Sequence, residues 1–581
     1  MKHTTYSFGL MRTTPRIFLA AWAAAILNFS AIPGRAASLD LLASFEAISY
    51  NGWTPCDPVI AAGPSSLVTM VSERIAIFNK QGTKLFEQNL GAGGFWAAQG
   101  GDQVAEPWVI FDPNSGRFIA SAADFGGAKG VWYLAISKNS NPLTSADWHK
   151  YSLDRTGTHQ GPNFPEVLTY PDNAKVGVDG DAIYVTSGHF AKDQSITGNF
   201  SHAELFALDK APLLTGGPLQ ILHDEPVITD PQLIPGHPAI VFEPAPAMYF
   251  VQATARQPDD TIVVHSLTDI FTTPTQTTSP VMVVDYDRPP NVPQRGSSIL
   301  LENIDARLMS VVVRNGALWT SHAVKDPADG ESVVRWYQFG VSGLPLTGAT
   351  LMQSGEVDPG PGIHTWLPHI GVDGDGNMGL SFSVGGVNQY AAIGYTGRLA
   401  NDPAGTTYPV QTARAGAGSY TLGGWGEYSG LAIDPDDQTF WLFHEYPTKQ
   451  KTWNTFVGAF QVIPPALPSD PLHCGDLDGS SATAGKYWKT TVVVTVHDGN
   501  HAPVPGATVS VQWIVGASGS SSAVTDANGR CTFISGNISK LSPNATLTIT
   551  GVTKATLTYS AAANHDPDGD SNGTSITVNK P

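Results

Sequence analysis

Short apolar runs, rich in β-branched and aromatic side chains, alternate along the chain with clusters of Gly, Pro, Asn and Asp. Examples are the segments 131–137, 439–444 and 455–462. Nowhere do apolar residues keep the spacing of an amphipathic helix over a long window, whereas runs of this length bounded by turn residues are typical of β-strands. The pattern therefore predicts an all-β protein.

One strand-opening pattern recurs seven times, each copy running from a polar or Pro-flanked residue through an apolar stretch to a turn. The copies open at Asp57, Glu106, Asp172, His237, Arg307, Trp366 and Glu427. Successive openings are 49, 66, 65, 70, 59 and 61 residues apart. Repetition at such a period is the signature of a β-propeller, in which each repeat forms one four-stranded blade around a central channel. The sequence predicts seven blades over residues 37–463.

The last repeat lacks its outer strand, and the segment from Leu41 to Ile48 is the simplest source of it. Pairing the two ends of the ring in this way removes an exposed sheet edge. We therefore expect the N-terminal segment to complete the last blade.

A proline-rich stretch from Ile463 to Leu472 ends the repeats. Proline cannot donate ladder hydrogen bonds, so residues 464–473 are interpreted as a linker. Beyond it, short strands alternate apolar and polar positions between turns such as Asp498-Gly-Asn500. This spacing predicts a small β-sandwich over residues 474–581.

The first 36 residues combine four basic residues, no acidic residue and the apolar run from Ile17 to Phe29. These features are typical of a secretory signal peptide, and Pro33 and Asn28 interrupt the run before it is long enough for a membrane span. Cleavage changes the formal net charge from -18 to -22 because it removes only cations. We expect a secreted, extracellular or periplasmic protein, and the acidic surface argues against nucleic-acid binding.

The chain has three cysteines, Cys56, Cys474 and Cys531. An odd number leaves at least one thiol unpaired, and the sequence leaves open whether Cys474 and Cys531 pair. No Cys-x-x-Cys motif or Cys/His spacing predicts a zinc or haem site.

If the repeats are in phase, rotational symmetry brings their opening residues to one mouth of the channel. The candidate catalytic residues there are Glu106, Glu427, Asp57, Asp172 and His237. The candidate substrate-binding residues are Arg307, Trp366, His369 and Trp425.

Two chemistries suit this set of side chains. A pair of carboxyl groups flanking a substrate is what glycoside hydrolysis requires. A His or Tyr base beside an Arg that neutralises a substrate carboxylate suits β-elimination from a uronate polysaccharide. In a third interpretation the strand-opening residues only bond loop amides and hold the blades together.

An acidic turn near the C-terminus resembles half of a calcium loop. Asp568, Asp570 and Asn572 follow the D-x-D-x-N-G pattern, but the twelfth position is Asn579, where an EF-hand has Glu. Asp476 and Asp478 can complete an oxygen cage if the first and last strands of the sandwich are neighbours. Calcium as a structural cofactor is therefore one interpretation, and a solvated acidic turn is the other.

Two family resemblances add to this interpretation. The segments 177–184, 425–429 and 434–441 resemble repeats of secreted bacterial propellers loosely grouped as sialidase-like, although the full sialidase Asp-box is absent. The segments 475–480, 496–498, 503–507 and 565–570 resemble bacterial Ig-like domains appended to secreted hydrolases. The resemblance implies a secreted glycan-directed hydrolase or lyase with an accessory module. The alternative is a non-catalytic glycan-binding or adhesion protein; the oligomeric state is left open.

Overall fold

The computed structural model describes residues 39–581 except for 125–128, 162–163, 193–199, 229–235, 255–258, 345–346, 464–470 and 555–556. The predicted signal peptide and most of the predicted linker lie outside the described residues. Within them, no helix is long and apolar enough to cross a membrane.

The protein is almost entirely β-structure. Its first nineteen strands are β1 Leu41–Ser49, β2 Val59–Ala62, β3 Ser66–Val71, β4 Arg74–Asn79, β5 Lys84–Asn89, β6 Val104–Asp112, β7 Arg117–Asp124, β8 Val131–Ser137, β9 Trp148–Asp154, β10 Gly157–Gly161, β11 Phe164–Val178, β12 Ala182–Ala191, β13 Phe200–Asp209, β14 Ile221–Ile228, β15 His237–Pro238, β16 Ile240–Val241, β17 Met248–Ala253, β18 Asp259–Thr268 and β19 Thr275–Tyr286.

The next thirteen strands are β20 Val292–Gln294, β21 Ser297–Leu301, β22 Ser310–Arg314, β23 Ala317–Lys325, β24 Ser332–Gly340, β25 Thr350–Val357, β26 His364–Val372, β27 Met378–Gly386, β28 Gln389–Arg398, β29 Gln411–Arg414, β30 Gly430–Ile433, β31 Phe440–Pro447 and β32 Trp453–Phe460. The C-terminal strands are β33 His473–Ala484, β34 Tyr487–His497, β35 Thr508–Val515, β36 Gly519–Val524, β37 Arg530–Ile534, β38 Ile538–Ser539, β39 Asn544–Thr553 and β40 Ser575–Asn579. Helical segments are short: α1 Lys210–Leu213 and 3₁₀ turns at Ala97–Gln99, Ser145–Asp147 and Ala561–Ala563.

The strands up to β32 form small antiparallel sheets. Seven runs of four strands recur: β2–β5, β6–β9, β11–β14, β15 with β17–β19, β22–β25, β26–β29, and β30–β32 with β1. The third and fifth runs are linked through β16, which pairs in parallel with β11 and β22. The hairpin of β20 and β21 stands outside these runs.

Burial explains the apolar pattern of each run. The second strand of the first run, β3, is buried at every position because sheets cover both of its faces. The outer strands β1 and β19 alternate instead, since one face of each meets solvent. Continuous apolar runs therefore mark inner strands, and alternating runs mark outer strands.

The N-terminal segment pairs with the last run, as predicted. Strand β1 is antiparallel to β32, with Phe45 opposite Val457. Thr455 exchanges two hydrogen bonds of 2.9 Å with the backbone of Ile48. These contacts join residues about 400 positions apart and cover the edge that β32 would otherwise expose, so that β1 becomes the outer strand of the sheet.

The C-terminal residues form two four-stranded sheets. One contains β33, β34, β37 and β38, and the other contains β36, β35, β39 and β40. Their shared core includes Trp488, Val494, Val511 and Leu547, all buried. Five of these strands match the alternating runs in the sequence, whereas β33 and β36 were missed because they are polar.

Candidate active site at one end of a central cavity

A cavity of about 290 Å³ lies where the first strands of the seven runs meet. One lining residue from each run is Ile60, Val109, Val176, His237, Val312, Ile370 and Leu431. The first strands of all seven runs therefore line the same cavity. Most of its wall is apolar because these positions belong to inner strands.

Three rings form an aromatic layer at one end of this cavity: Trp108, His237 and His369. The Trp108 ring centroid lies 5.1 Å from that of His237 and 6.2 Å from that of His369. Burial lowers the pKa of His237 to about 3 and that of His369 to about 4. Both imidazoles are therefore neutral near pH 7.

The layer is held in place by backbone contacts. His237 Nδ1 lies 2.9 Å from the carbonyl of Pro238, and His369 Nδ1 lies 2.7 Å from that of Ser429. These partners fix the ring orientations and tautomers. The buried Nε2 of His237 has no hydrogen-bond partner among the described residues.

Six charged side chains form a second layer, which we call the charged ring: Asp57, Glu106, Asp172, Lys175, Arg307 and Glu427. Trp108 connects the layers because the Lys175 amine lies 4.6 Å from its ring centroid. None of the six belongs to the described lining of the cavity. The structure thus brings together the five predicted acidic and basic openings and adds Lys175, which sequence reasoning missed.

Backbone geometry repeats around the ring. Asp57, Glu106 and Glu427 have φ values of 54, 52 and 60°, and Asn173 and Leu367 have 57 and 50°. The left-handed region costs a non-glycine residue roughly 1–2 kcal/mol, so its recurrence indicates a constrained position. In two of the runs the equivalent position is thus Asn173 or Leu367, one residue after the predicted opening.

Three carboxyl groups of the charged ring crowd one point. Asp57, Glu106 and Glu427 each have a carboxylate oxygen within 4.8 Å of the others. Burial, followed by the charges of Glu106 and Glu427, raises the pKa of Asp57 far above its ordinary range. Burial and the charge of Glu106 likewise raise the pKa of Glu427. Protons therefore remain on part of this group near neutral pH.

Asp172 is a fourth carboxyl group next to these three. Burial and the charge of Glu106 raise its pKa to about 7, although the positive charges of Arg307 and Lys175 oppose the shift. Its side chain is half-buried. A carboxyl group with such a pKa can give or take a proton at neutral pH.

Lys175 is the buried cation of the ring. Only 5% of it is exposed, and its Nζ has no hydrogen-bond partner in the described part of the chain. The amine lies 3.3 Å from the ring centroid of Tyr428. Burial lowers its pKa to about 7 despite the favourable charges of Glu106, Glu427 and Asp57.

Tyr428 links two of the seven runs. Its hydroxyl donates to the Glu106 carboxylate and lies 2.9 Å from Oδ1 of Asn173. Burial, followed by the charge of Glu106 and of three other acids, raises its pKa far above the ordinary value. Its only signal in the sequence is its position directly after Glu427.

Arg307 is already paired. Its Nε and Nη2 donate to Asp305 at 2.9 Å each. Burial disfavours the ionised form of Asp305, but the charge and hydrogen bonds of Arg307 together outweigh burial, so the pKa of the Asp305 carboxyl group is lowered. The pair therefore carries little net charge into the ring.

A further carboxyl group, Glu445, lies behind Asp57 and was not predicted. Burial raises its pKa to about 8, against the opposing contributions of the Gly426 amide and the Cys56 thiol. Burial and the charges of Glu445 and Asp57 raise the pKa of Cys56 as well. All three cysteines of the chain are buried free thiols in this structure.

The two predicted substrate-binding tryptophans lie in the core. Trp366 is 0% exposed and Trp425 is 1% exposed, and their ring centroids are 6.3 Å apart. Trp425 donates its indole N–H to Ser383 at 3.2 Å. Neither indole is available for stacking on a ligand in this arrangement, because neighbouring strands cover both.

The acidic turn of the C-terminal sheets has a different geometry from the predicted one. Carboxylate oxygens of Asp476, Asp566 and Asp568 lie within 4.8 Å of one another. Asn572 Oδ1 instead accepts the backbone N–H groups of Thr574 and Ser575. Asp570 and Asp478 lie close enough to contribute their charges to the raised pKa of Asp476, which burial dominates.

No protein-family model matches the chain, and no curated protein matches it. Structural neighbours include the Hadza microbial sialidase Hz136, with 12% identity, a TM-score of 0.35, and coverage of 68% of this chain and 73% of that chain. The GH93 α-L-arabinofuranosidase of Fusarium graminearum has 9% identity, a TM-score of 0.34, and coverage of 72% and 98%. The Trypanosoma rangeli sialidase has 9% identity, a TM-score of 0.34, and coverage of 93% of both chains. Likenesses this weak carry no argument about chemistry, which rests on the residues themselves.

Proposed function

We propose that the protein is a secreted glycoside hydrolase that acts on an extracellular glycan at the charged ring. The observation that carries the proposal is the cluster of Asp57, Glu106 and Glu427, whose carboxylate oxygens lie within 4.8 Å of one another. Burial keeps part of this cluster protonated, as the raised pKa values of Asp57 and Glu427 indicate. Hydrolysis of a glycosidic bond needs one protonated and one ionised carboxyl group at the same site.

The framework is proposed to be a seven-bladed propeller followed by an Ig-like sandwich. Seven runs of four strands, with one cavity touched by the first strand of each, support the propeller. Pairing of β1 with β32 supports closure of the ring. The two facing sheets from β33 to β40, which share one core, support the sandwich.

The carboxyl spacing suggests a stereochemical outcome. Retaining glycosidases hold their two carboxyl groups about 5 Å apart, whereas inverting enzymes leave roughly 6.5–9.5 Å for a water molecule. One carboxylate oxygen from each of Asp57, Glu106 and Glu427 lies within 4.8 Å of those of the other two, which is closer to the first spacing than to the second. We therefore expect retention of anomeric configuration.

The surroundings favour hydrolysis over β-elimination. An eliminating base must accept a proton readily, but burial and four carboxyl groups hold the pKa of Tyr428 far above its ordinary value. An arginine that clamps a uronate needs a free bidentate edge, but the Nε and Nη2 edge of Arg307 already donates to Asp305. His237 and His369 line the cavity rather than the cluster of carboxyl groups.

A second function, non-catalytic glycan binding, is favoured by one specific observation. Several members of the ring are already bonded to neighbouring side chains: Ser72 donates to Asp57 at 2.5 Å, Tyr428 donates to Glu106, and Arg307 is paired with Asp305. A network satisfied in this way can hold neighbouring strands together and present a rigid surface.

A glycan panel distinguishes these possibilities when both new reducing ends and unsaturated products are measured. Hydrolysis releases reducing ends without unsaturated sugars, elimination releases both, and a binding protein releases neither. Glu427→Gln keeps the shape of the side chain and removes its charge. We expect it to lower kcat by about 10²–10⁴-fold with a nearly unchanged melting temperature.

The matched control is Glu243→Gln. Glu243 pairs at 3.2 Å with Arg314, a residue that lines the cavity but lies outside the charged ring. If activity survives in Glu427→Gln and disappears in Glu243→Gln, the active site lies near the Glu243–Arg314 pair rather than at the charged ring. Glycan retention without any released product would support the binding function instead.

A further inference from the structure

Four histidines meet at one end of the C-terminal sheets, and we call them the histidine cluster: His473, His497, His501 and His565. His473 begins β33 and is paired in register with His497, which ends β34. His501 lies in the following loop, and His565 precedes β40 with its N–H bonded to the carbonyl of Cys474 at 3.0 Å. Two residues of one sheet, one from the loop that leads to the other sheet and one from the loop between β39 and β40 therefore converge on one point.

The four rings are arranged like the corners of a tetrahedron. The six distances between ring centroids are 6.0, 5.4, 5.0, 6.1, 6.2 and 4.9 Å. Only a tetrahedron gives four points six nearly equal separations. Four imidazoles on one tetrahedral ion, with metal–nitrogen bonds of about 2.1 Å, place their centroids roughly 5 Å apart.

Ring nitrogens of all four residues face the same space. One nitrogen from each lies within 4.8 Å of those of the other three. On a tetrahedral ion these nitrogens would be roughly 3.4 Å apart, a difference that small rotations of imidazole rings can close. The cluster is therefore close to a ligating geometry.

Two of these nitrogens lack a partner. His473 is 3% exposed, and its Nε2 has no hydrogen-bond partner among the described residues; the same holds for the buried Nδ1 of His497. His473 Nδ1 lies 3.0 Å from the carbonyl of Pro471, which leaves the lone pair on Nε2. A backbone carbonyl on the outer nitrogen is the usual support for a metal-bound histidine.

Gly475 makes room for one of the ligands. A Cβ atom at this position would lie 2.0 Å from Nδ1 of His497. Any other residue would therefore push the His497 ring away from its place in the cluster.

We propose that the histidine cluster binds a divalent transition-metal ion, with Zn²⁺ as the best match, and that this ion joins the two sheets of the C-terminal domain. Nitrogen ligands exclude calcium and magnesium, which prefer oxygen, and tetrahedral geometry favours zinc over copper or nickel. Four protein ligands fill the coordination shell, which is typical of a structural rather than a catalytic zinc site.

A second group of histidines provides an internal control. His159, His189 and His202 also lie within 4.8 Å of one another. Here His189 Nε2 lies 3.0 Å from Glu204, which Arg155 also contacts. Arg155 already occupies this carboxylate, and the group offers three histidines rather than four, so we expect it to bind zinc more weakly.

The test uses full-chain protein freed of metal by a chelator and then titrated with ZnCl₂ or CoCl₂. The wild type should bind zinc tightly at one site, melt at a higher temperature with zinc, and give the intense visible bands of tetrahedral Co²⁺. His501→Gln is the first variant because His501 is exposed in a loop and its replacement should not prevent folding. It should weaken zinc binding at least 100-fold, and His497→Gln should do the same.

His202→Gln, in the control group, should leave tight zinc binding and the Co²⁺ bands unchanged. The proposal is overturned if the wild type takes up no tight zinc, if Co²⁺ gives no tetrahedral spectrum, or if His501→Gln and His497→Gln bind zinc like the wild type. It is also overturned if His202→Gln, rather than the cluster variants, removes the tight site.

Discussion

The charged ring and the histidine cluster both collect titratable side chains from distant parts of the chain, but their charges are balanced in different ways. In the ring, the negative charges of Glu106, Glu427 and Asp57 stabilise the charged form of Lys175. Arg307 is paired with Asp305. In the histidine cluster four bases meet, and burial and mutual repulsion keep His497 neutral.

The comparison shows that the two sites should respond differently when one of their side chains is removed. A ring of mixed charges depends on its own members, so the loss of one member leaves another buried and uncompensated. A cluster of imidazoles loses little when one member is removed, but it gains stability from a cation. The following predictions test this difference, from the largest expected effect to the smallest.

Lys175→Met should cause the largest loss of stability. It removes a cation that is 5% exposed and leaves the neighbouring carboxyl groups without it. Removing one partner of a buried ionic group costs about 3–5 kcal/mol. Unfolding in urea at pH 6 measures this cost. Lys325→Met, at an exposed lysine 3.9 Å from Asp287, is the control and should change stability by less than about 1 kcal/mol. Equal effects of both substitutions would mean that the ring is not internally balanced.

Asp172→Asn should change the pH dependence of stability. The folded-state pKa is raised to about 7, against about 3.9 in the unfolded chain, so the stabilising contribution is complete below pH 4 and lost as pH rises to 7. The variant lacks this loss, so its stability relative to the wild type should rise between pH 5 and pH 8. We expect about 1–2 kcal/mol, since solvent reaches this half-buried carboxyl.

Melting curves at several pH values measure this difference. Asp329→Asn, at an exposed turn, is the control and should run parallel to the wild type. A parallel curve for Asp172→Asn as well would show that this carboxyl does not retain its proton in the folded protein.

Gly475→Ala should weaken zinc binding about 10-fold, because the new methyl group displaces the His497 ring. The metal-free protein should melt near the wild-type temperature, since the rings do not depend on one another without the ion. Gly551→Ala is the control because a Cβ there meets nothing within 4 Å. Zinc titrations of both variants decide the matter, and unchanged affinity in Gly475→Ala would count against His497 as a ligand.

Calcium should have the smallest effect. If Asp476, Asp566 and Asp568 hold calcium, its addition to zinc-saturated protein should stabilise the C-terminal domain by about 1 kcal/mol at a concentration several times the dissociation constant. Asp568→Asn should remove this stabilisation. No calcium-dependent change in the melting curve would leave the turn as a solvated loop.

Several features of the fold could be read from the sequence because they depend on local periodicity. Inner strands such as β3 are buried at every position and are mostly apolar, and their recurrence predicted the repeated four-stranded runs. The pairing of β1 with β32 followed from counting strands in the last run. Strand β33 was missed because its residues, including Asp476 and Asp478, are mostly polar.

The composition of the candidate site could be predicted only in part. The strand openings pointed to Asp57, Glu106 and Glu427, which take the same left-handed backbone conformation. Trp366 precedes that conformation by one residue, and a shift of one residue along a strand turns a side chain to the opposite face. This accounts for the burial of the Trp366 indole.

The sequence by itself determined the strands, the repeat and the residue types that open each repeat, since these follow from the alternation of apolar, polar and turn-forming residues. Only the tertiary structure decided which charged or titratable side chains lie next to one another. Lys175 lies beside carboxyl groups as distant in the sequence as Asp57 and Glu427, and the histidine cluster brings His473 together with His565. Such contacts depend on how strands pack in space, and no local pattern encodes a distance between residues so far apart in the sequence.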